Sequence, residues 1–464
     1  MHMEKRKATS RKKWVRLDNA SNIFLAAMTN RDSKVFRFSA ELTDTVDSDL
    51  LQQALNEVYS QYLLYHSVLR RGIFWYYLEE SDLKPVVQLD TNPSCQPLYH
   101  FDRRELLFRV VYWKQRVSLE VFHVLSDGTG AMWFFQDLLK EYLLLKNPEI
   151  NPEDLEVAEY NHDTSSEDSF ARHFRVKDQK NFGQATQSAL RSFSKVTVKA
   201  KELLYPTGDA DEKKVYHYKG TYTPDNRPRI VEMEMSVKEI LKRAKKEQVS
   251  LTIYLTALFM ESVRKSAKDF HGNETMAVSV PVNLRQFYPS TSARNFFAVT
   301  RLEYTYQPGK KNSVSDICKE LKEQLSPQLE KKHLEKILTR LIYFEYHPLA
   351  RIIIRPLKDF GLKLINHSTN KNLTLAISNL GRVSFPKPIE SFINQVYFHT
   401  IAVRPQFCAI SHGDYFTISF TSPYIETDIF KEFARSLTED GVPITVTVNK
   451  VTEEELGGGS HAGV

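Results

Sequence analysis

His123 closes an apolar, alternating run and stands four residues before an Asp-Gly pair, in Val121-Phe122-His123-Val124-Leu125-Ser126-Asp127-Gly128-Thr129-Gly130. An imidazole is the side chain whose ordinary pKa lets it take up and return a proton near neutrality. A strand would fix it, a nearby carboxylate would steady it, and a glycine would keep the approach open. The arrangement suits a buried general base, and the chemistry it suggests is acyl transfer. No Gly-x-Ser-x-Gly elbow occurs, so a serine hydrolase is excluded.

The elements around this block read as a mixed α/β fold. Residues 35–42 alternate like a strand, and Asp47 caps a helix carrying Leu50, Leu51, Ala54, Leu55 and Val58 at helical spacing. Residues 106–113 and 117–122 form a hairpin through Lys114-Gln115-Arg116, and a strongly apolar helix follows over 131–145. The aromatic run Phe74-Trp75-Tyr76-Tyr77, in an extended stretch over 69–78, reads as core rather than as an acyl pocket. Further on, strands are expected over 230–235, 276–283, 296–306, 373–378, 395–403, 407–411, 415–422 and 444–449. Helices are expected after Ser236, over 251–260, twice between 313 and 347, and over 429–437.

With 464 residues and 42% hydrophobic content the chain can bury a large core, and its size argues for two lobes. Composition places them at 14–146 and 229–452, joined by a polar crossover over 147–228 that is partly helical near Ser169 and elsewhere mobile. Residues 1–13 and 453–464 read as flexible tails, the first basic, the second glycine-rich. No stretch of the length of a membrane span is uninterruptedly apolar and the start lacks a secretion signal, so the expected location is the cytoplasm. Three scattered cysteines, Cys95, Cys318 and Cys408, give neither a disulfide framework nor metal-ligand spacing, and read as reduced structural thiols. The net charge of +6 would suit coenzyme A, an acidic carrier protein or an anionic lipid surface, although an ordinary solvated surface is the simpler reading. Nothing in the pattern indicates nucleic acid.

Three separated blocks resemble the chloramphenicol acetyltransferase-like superfamily, which includes condensation domains, plant BAHD acyltransferases and bacterial alcohol acetyltransferase-like proteins. His123 to Gly128 is similar to its His-x-x-x-Asp-Gly motif. Pro281-Val282-Asn283-Leu284-Arg285, followed by Asn295-Phe296, is similar to the Asn/Asp-x-Arg and Gly-Asn-Phe stretch of condensation-type members. Ile377-Ser378-Asn379-Leu380-Gly381 is similar to their Ser-Asn-x-Gly turn. Order and spacing agree, so the resemblance covers roughly 14–450. Trp14 to Phe24, Leu69-Arg70-Arg71-Gly72 and Glu167-Asp168-Ser169-Phe170 bring it nearest to the bacterial alcohol acetyltransferase-like group. Phe122 replaces the first histidine of the doubled condensation motif, Ala293-Arg294 replaces the usual glycine before Asn295, and the plant Asp-Phe-Gly-Trp-Gly motif is absent.

The resemblance implies two similar lobes with an active-site tunnel between them, a thioester entering from one side and an acceptor from the other. It implies His123 as general base, and Asp127 as a structural acid paired with Arg285 rather than a proton relay. Gly128 would keep the tunnel floor clear. Ser378 and Asn379 are candidates to donate to the oxyanion, a plain strand-ending turn being the alternative, with Thr129 and Ser126 behind them. The expected co-substrate is acyl-CoA or an acyl carrier protein thioester, with no permanently bound cofactor and no metal. The acceptor is a hydroxyl-bearing small molecule or lipid, and the chain is expected to be a monomer. Two rivals stand: an amide-forming condensation-type enzyme, and a member that binds an acyl chain or a partner without chemistry.

Overall fold

The computed structural model describes residues 13–155, 167–174, 214–346, 353–401 and 403–457. Two mixed helix-and-sheet units make up most of it. The first is a five-stranded sheet in the order Ile393–Thr400, Val35–Leu42, Arg116–Phe122, Phe108–Trp113, Gln88–Leu89. The second is a seven-stranded sheet in the order Phe297–Thr305, Thr275–Asn283, Leu375–Val383, Gln406–His412, Tyr415–Ser422, Arg229–Ser236, Ile444–Val448. Each has its own apolar core, the first around Phe36, Phe38, Phe134 and Phe135, the second around Phe259, Phe407, Phe420 and Phe433.

Alternation along Val35–Leu42 explains how the first sheet is used on both faces. Phe36, Phe38 and Ala40 pack into the apolar core beneath the helix Gly128–Lys146. Arg37, Ser39 and Glu41 point the other way, and on that face Arg37 bonds Glu120 and Asp90 while the Ser39 and Ser118 hydroxyls meet at 2.8 Å. Arg116 reaches Glu232 of the second sheet at 3.2 Å, and the Tyr397 hydroxyl donates to Glu234 at 2.6 Å. The sheets are thus joined through paired polar groups, which leaves few charges unsatisfied in a region of low dielectric.

The strand Ile393–Thr400 departs from the expected lobe division. It lies in sequence between strands of the second sheet, yet pairs antiparallel with Val35–Leu42, Phe398 opposite Phe38. Its aromatic residue Phe398 packs on Phe38 at 4.8 Å between ring centroids, so the apolar core of the first sheet claims it.

The aromatic run at 74–77 is a correction. It is core only in part: Ser67–Arg71 and Tyr76–Glu80 form a hairpin, closed where the Gly72 N–H donates to the Trp75 carbonyl at 2.8 Å, with Phe74 and Trp75 exposed at its tip while Tyr76 packs against the apolar core of the first unit. The tail expected to be flexible from 453 is in part held, because Glu455 accepts from the Val451 and Thr452 N–H groups and from Arg229. Residues 1–12 and 458–464 of the two tails, and 156–166 and 175–213 of the crossover, lie outside the described residues. The expected helix near Ser169 is present as Ser169–Phe174. Among the described residues no helix is long and apolar enough to cross a membrane. Burial pushes the thiol of Cys318 up to about 12 and raises those of Cys95 and Cys408 as well, which suits a packing role.

Candidate active site

His123 follows directly on the strand Arg116–Phe122, and its N–H donates to the Lys34 carbonyl at 2.8 Å, so the backbone is pinned at the strand's end. The imidazole is boxed by aromatics. Phe24 stacks on it with ring centroids 3.9 Å apart, Phe36 meets it edge-on at 5.0 Å, and Phe297 lies at 5.7 Å. Burial holds its pKa down at about 4, against the attraction of the Asp127 carboxylate and a hydrogen bond to Asn295 that both favour the proton. The ring is therefore neutral at pH 7, as a base must be.

Asn295 also decides which nitrogen carries the remaining proton. Its amide nitrogen donates to the His123 carbonyl at 2.9 Å and to the Ser21 hydroxyl at 3.1 Å, with Asp18 at 3.5 Å. The opposite flip would set its carbonyl against those acceptors. The amide oxygen must then face Nδ1, 3.1 Å away, and Nδ1–H donates to it. Nε2 keeps its lone pair.

Asp127 caps the helix Gly128–Lys146, one carboxylate oxygen accepting from the Gly130 N–H at 2.9 Å. The other accepts from Arg285 Nη1 at 2.7 Å and from the Phe296 N–H at 2.8 Å. Arg285 goes on to donate to the carbonyls of Ser292 and Arg294, both at 2.8 Å, and lies over the Trp133 ring. With the Asp127 and Arg285 side chains 6% and 8% exposed, this is a buried ion pair whose remaining hydrogen bonds run to backbone. It ties the turn below His123 to the segment that presents Asn295.

Two glycines make the approach possible. A Cβ on Gly128 would come within 2.9 Å of the end of the Leu380 side chain, which brings the Ser378–Gly381 turn alongside the histidine's turn. A Cβ on Gly130 would run into the Ala293 carbonyl oxygen, a backbone atom that cannot step aside. Ser126 donates its hydroxyl to that same carbonyl and so is committed to the scaffold, whereas the Thr129 hydroxyl accepts from Asn283 at 3.2 Å and keeps its own proton.

Ser378 and Asn379 differ in kind. The Asn379 amide donates to the Thr252 hydroxyl at 3.0 Å and accepts from the Gly381 N–H at 2.9 Å. The part-buried Ser378 hydroxyl has no hydrogen bond among the described residues. Among those residues, too, no group of three His, Cys, Asp or Glu side chains could hold a metal ion.

Sequence reasoning passed over the supports behind Asn295. Asp18 caps the helix Asn19–Ala27, which carries Phe24, and pairs with Arg294 at 3.5 Å. Burial raises the Asp18 pKa and Arg294 opposes that rise. The signal available was Asn295-Phe296 itself, ten residues after Arg285.

Residues 108–409 match the alcohol acetyltransferase family. No curated protein matches the chain. Among solved structures, TRI3 trichothecene 15-O-acetyltransferase from Fusarium sporotrichioides is similar with a TM-score of 0.59 at 11% identity, over 93% of this chain and 96% of that one. TRI101 of F. sporotrichioides, solved with coenzyme A and T-2, gives a TM-score of 0.57 at 10% identity over 94% and 99%. Polyketide synthase associated protein 5 from Mycobacterium tuberculosis gives 0.54 at 12% identity over 91% and 96%. These likenesses establish a shared fold, and the match across most of the sequence establishes more: the chain belongs to the alcohol acetyltransferase family.

Proposed function

We propose that the chain transfers an acyl group from an acyl-CoA thioester to a hydroxyl acceptor, with His123 as general base. The observation that carries this reading is the Asn295 contact, which leaves Nε2 of a neutral imidazole as the proton acceptor. As the acceptor oxygen attacks the thioester carbonyl and the C–O bond forms, Nε2 takes the hydroxyl proton. Collapse of the tetrahedral oxyanion breaks the C–S bond, and the same proton passes from Nε2 to the departing thiolate. The ester and the free thiol result, and the ring is neutral again.

Asp127 acts in this scheme through position, holding the turn and adding a negative field that favours the transient imidazolium. Ser378, with its hydroxyl uncommitted, is the oxyanion donor we favour over Asn379. Coenzyme A is preferred to a carrier protein as donor handle because TRI101, of the same fold, was solved with coenzyme A.

The test is a mass-spectrometric transfer screen. Purified protein is given acetyl-, butyryl- and octanoyl-CoA with matched alcohol and amine acceptors, alongside His123→Ala. Ester formed by the wild type and lost in the variant is the expected result. Amide as the main product would replace the acceptor class, and ester formation undiminished in His123→Ala would remove the assigned base.

A further inference from the structure

The outer face of the helix Arg355–Lys371 is apolar where a solvent face is ordinarily charged. Leu357 and Phe360 are 62% and 63% exposed, and Leu364, a turn further along the same face, is 48% exposed. Against its first turn lies the hairpin tip at 72–75. The Arg355 N–H donates to the Ile73 carbonyl at 2.9 Å, and Lys358 donates to the Phe74 carbonyl at 2.8 Å. Ile73 is 73% exposed, beside exposed Phe74 and Trp75. Two elements far apart in sequence thus carry exposed apolar side chains and meet at the first turn of the helix.

The charge around it is one-sided. The Arg16 guanidinium lies 5.5 Å from the Trp75 ring centroid and Arg355 lies 5.0 Å from that of Tyr76. Lys363 and Lys371 are exposed on the outer side of the helix. Asp359, the carboxylate of this helix, accepts from the Tyr76 hydroxyl at 2.9 Å and faces Arg355 at 3.7 Å. Arg16 belongs to the strand Trp14–Arg16, and the sequence before it carries Lys5, Arg6, Lys7, Arg11, Lys12 and Lys13.

We propose that this face docks on an anionic phospholipid bilayer, the apolar side chains entering the interface and the basic groups resting among the headgroups. Aromatic and aliphatic side chains ringed by lysine and arginine are what such an interface attracts, and each basic group near the surface adds to the binding. A second copy of the chain fits less well, since a two-fold contact would set Arg16, Lys358 and Lys363 near their own copies. The helix packs on Asn19–Ala27, whose Phe24 covers His123, so docking places the candidate active site one helix away from the lipid.

The experiment is flotation of the full chain with vesicles of phosphatidylcholine alone and of phosphatidylcholine with 25% phosphatidylglycerol. Alongside run Phe360→Ser/Leu364→Ser on the helix and Ile73→Ser/Trp75→Ser on the hairpin tip. Wild type should float with the anionic vesicles, and each double variant should bind about tenfold more weakly while keeping its circular dichroism and thermal midpoint. The two pairs lie on separate elements, so loss of fold in one leaves the other to decide. Wild type that stays unbound from both vesicles overturns the proposal. So does binding that survives both double variants, which would move the contact to the basic N-terminal sequence. Self-association without vesicles, dispersed by the same substitutions, would give the surface to a second copy instead.

Discussion

Residues 123–130 are bound across to 283–296 at both ends, through Asn295 on the histidine and Arg285 on the aspartate. Residues 378–381 are held mostly within their own half, by Thr252 and the local Asn379 turn, and reach the histidine's turn through Leu380 against Gly128. One turn is over-determined by polar bonds and the other reaches across through an apolar side chain, Leu380. A proton-transfer group must sit in one geometry in every step, whereas a group that receives a carbonyl oxygen can leave room for substrate to complete the site.

Substitutions can break this contrast at several places. His123→Ala should lower kcat by about 10²- to 10⁴-fold with the donor KM little changed, measured by thiol release. Asp127→Ala and Arg285→Ala each leave a buried charge alone and should each cost about 3 kcal/mol in denaturant unfolding, the double variant less than the sum. Strict additivity would mean the ion pair carries no shared energy. Ser378→Ala should reduce kcat by about 10²-fold without loss of stability, while Asn379→Ala should do the reverse. If both act alike, the distinction between a committed amide and an open hydroxyl is wrong. Gly130→Ala should cost about 2 kcal/mol because the Ala293 carbonyl cannot move, and Gly128→Ala less, because Leu380 can turn aside.

A further expected effect is on pH dependence. Burial holds His123 at about 4 and His399, beside the positive Arg37 and Arg116, at about 3, each below the free value of 6.5. The unfolded chain therefore takes up these protons first as pH falls. The two rings' contribution to stability is whole above about pH 6.5 and is lost progressively down to pH 4 and 3. Urea midpoints at pH 7, 5.5 and 4.5 should fall in that order, and His399→Gln should flatten the trend.

The histidine block was readable because three constraints coincide in it: a strand period, a helix cap and a glycine that backbone contact demands. Asp47, Ser236 and the hairpin at 114–116 were readable for similar local reasons. The helix Arg355–Lys371 was not, since its exposed face carries Leu357, Phe360 and Leu364 and so lacks the polar stripe that marks a helix in sequence. The helix Asn19–Ala27 was missed because its cap, Asp18, is stabilised by Arg294 from far along the chain. Phe74 and Trp75 misled because aromatic clusters are usually core.

The pairing of Ile393–Thr400 with Val35–Leu42 has a consequence for the order in which the protein can be made. During synthesis Val35–Leu42 gains Arg116–Phe122 as a neighbour early, but its other edge stays bare until some 270 further residues have been added, the interval from Phe122 to Ile393. A bare strand edge carrying Phe36 and Phe38 is a template for wrong pairing, and contacts so distant in sequence form slowly. Chains cut short before residue 393 should collect in aggregates or on chaperones even though they contain His123, Asp127 and Arg285 intact.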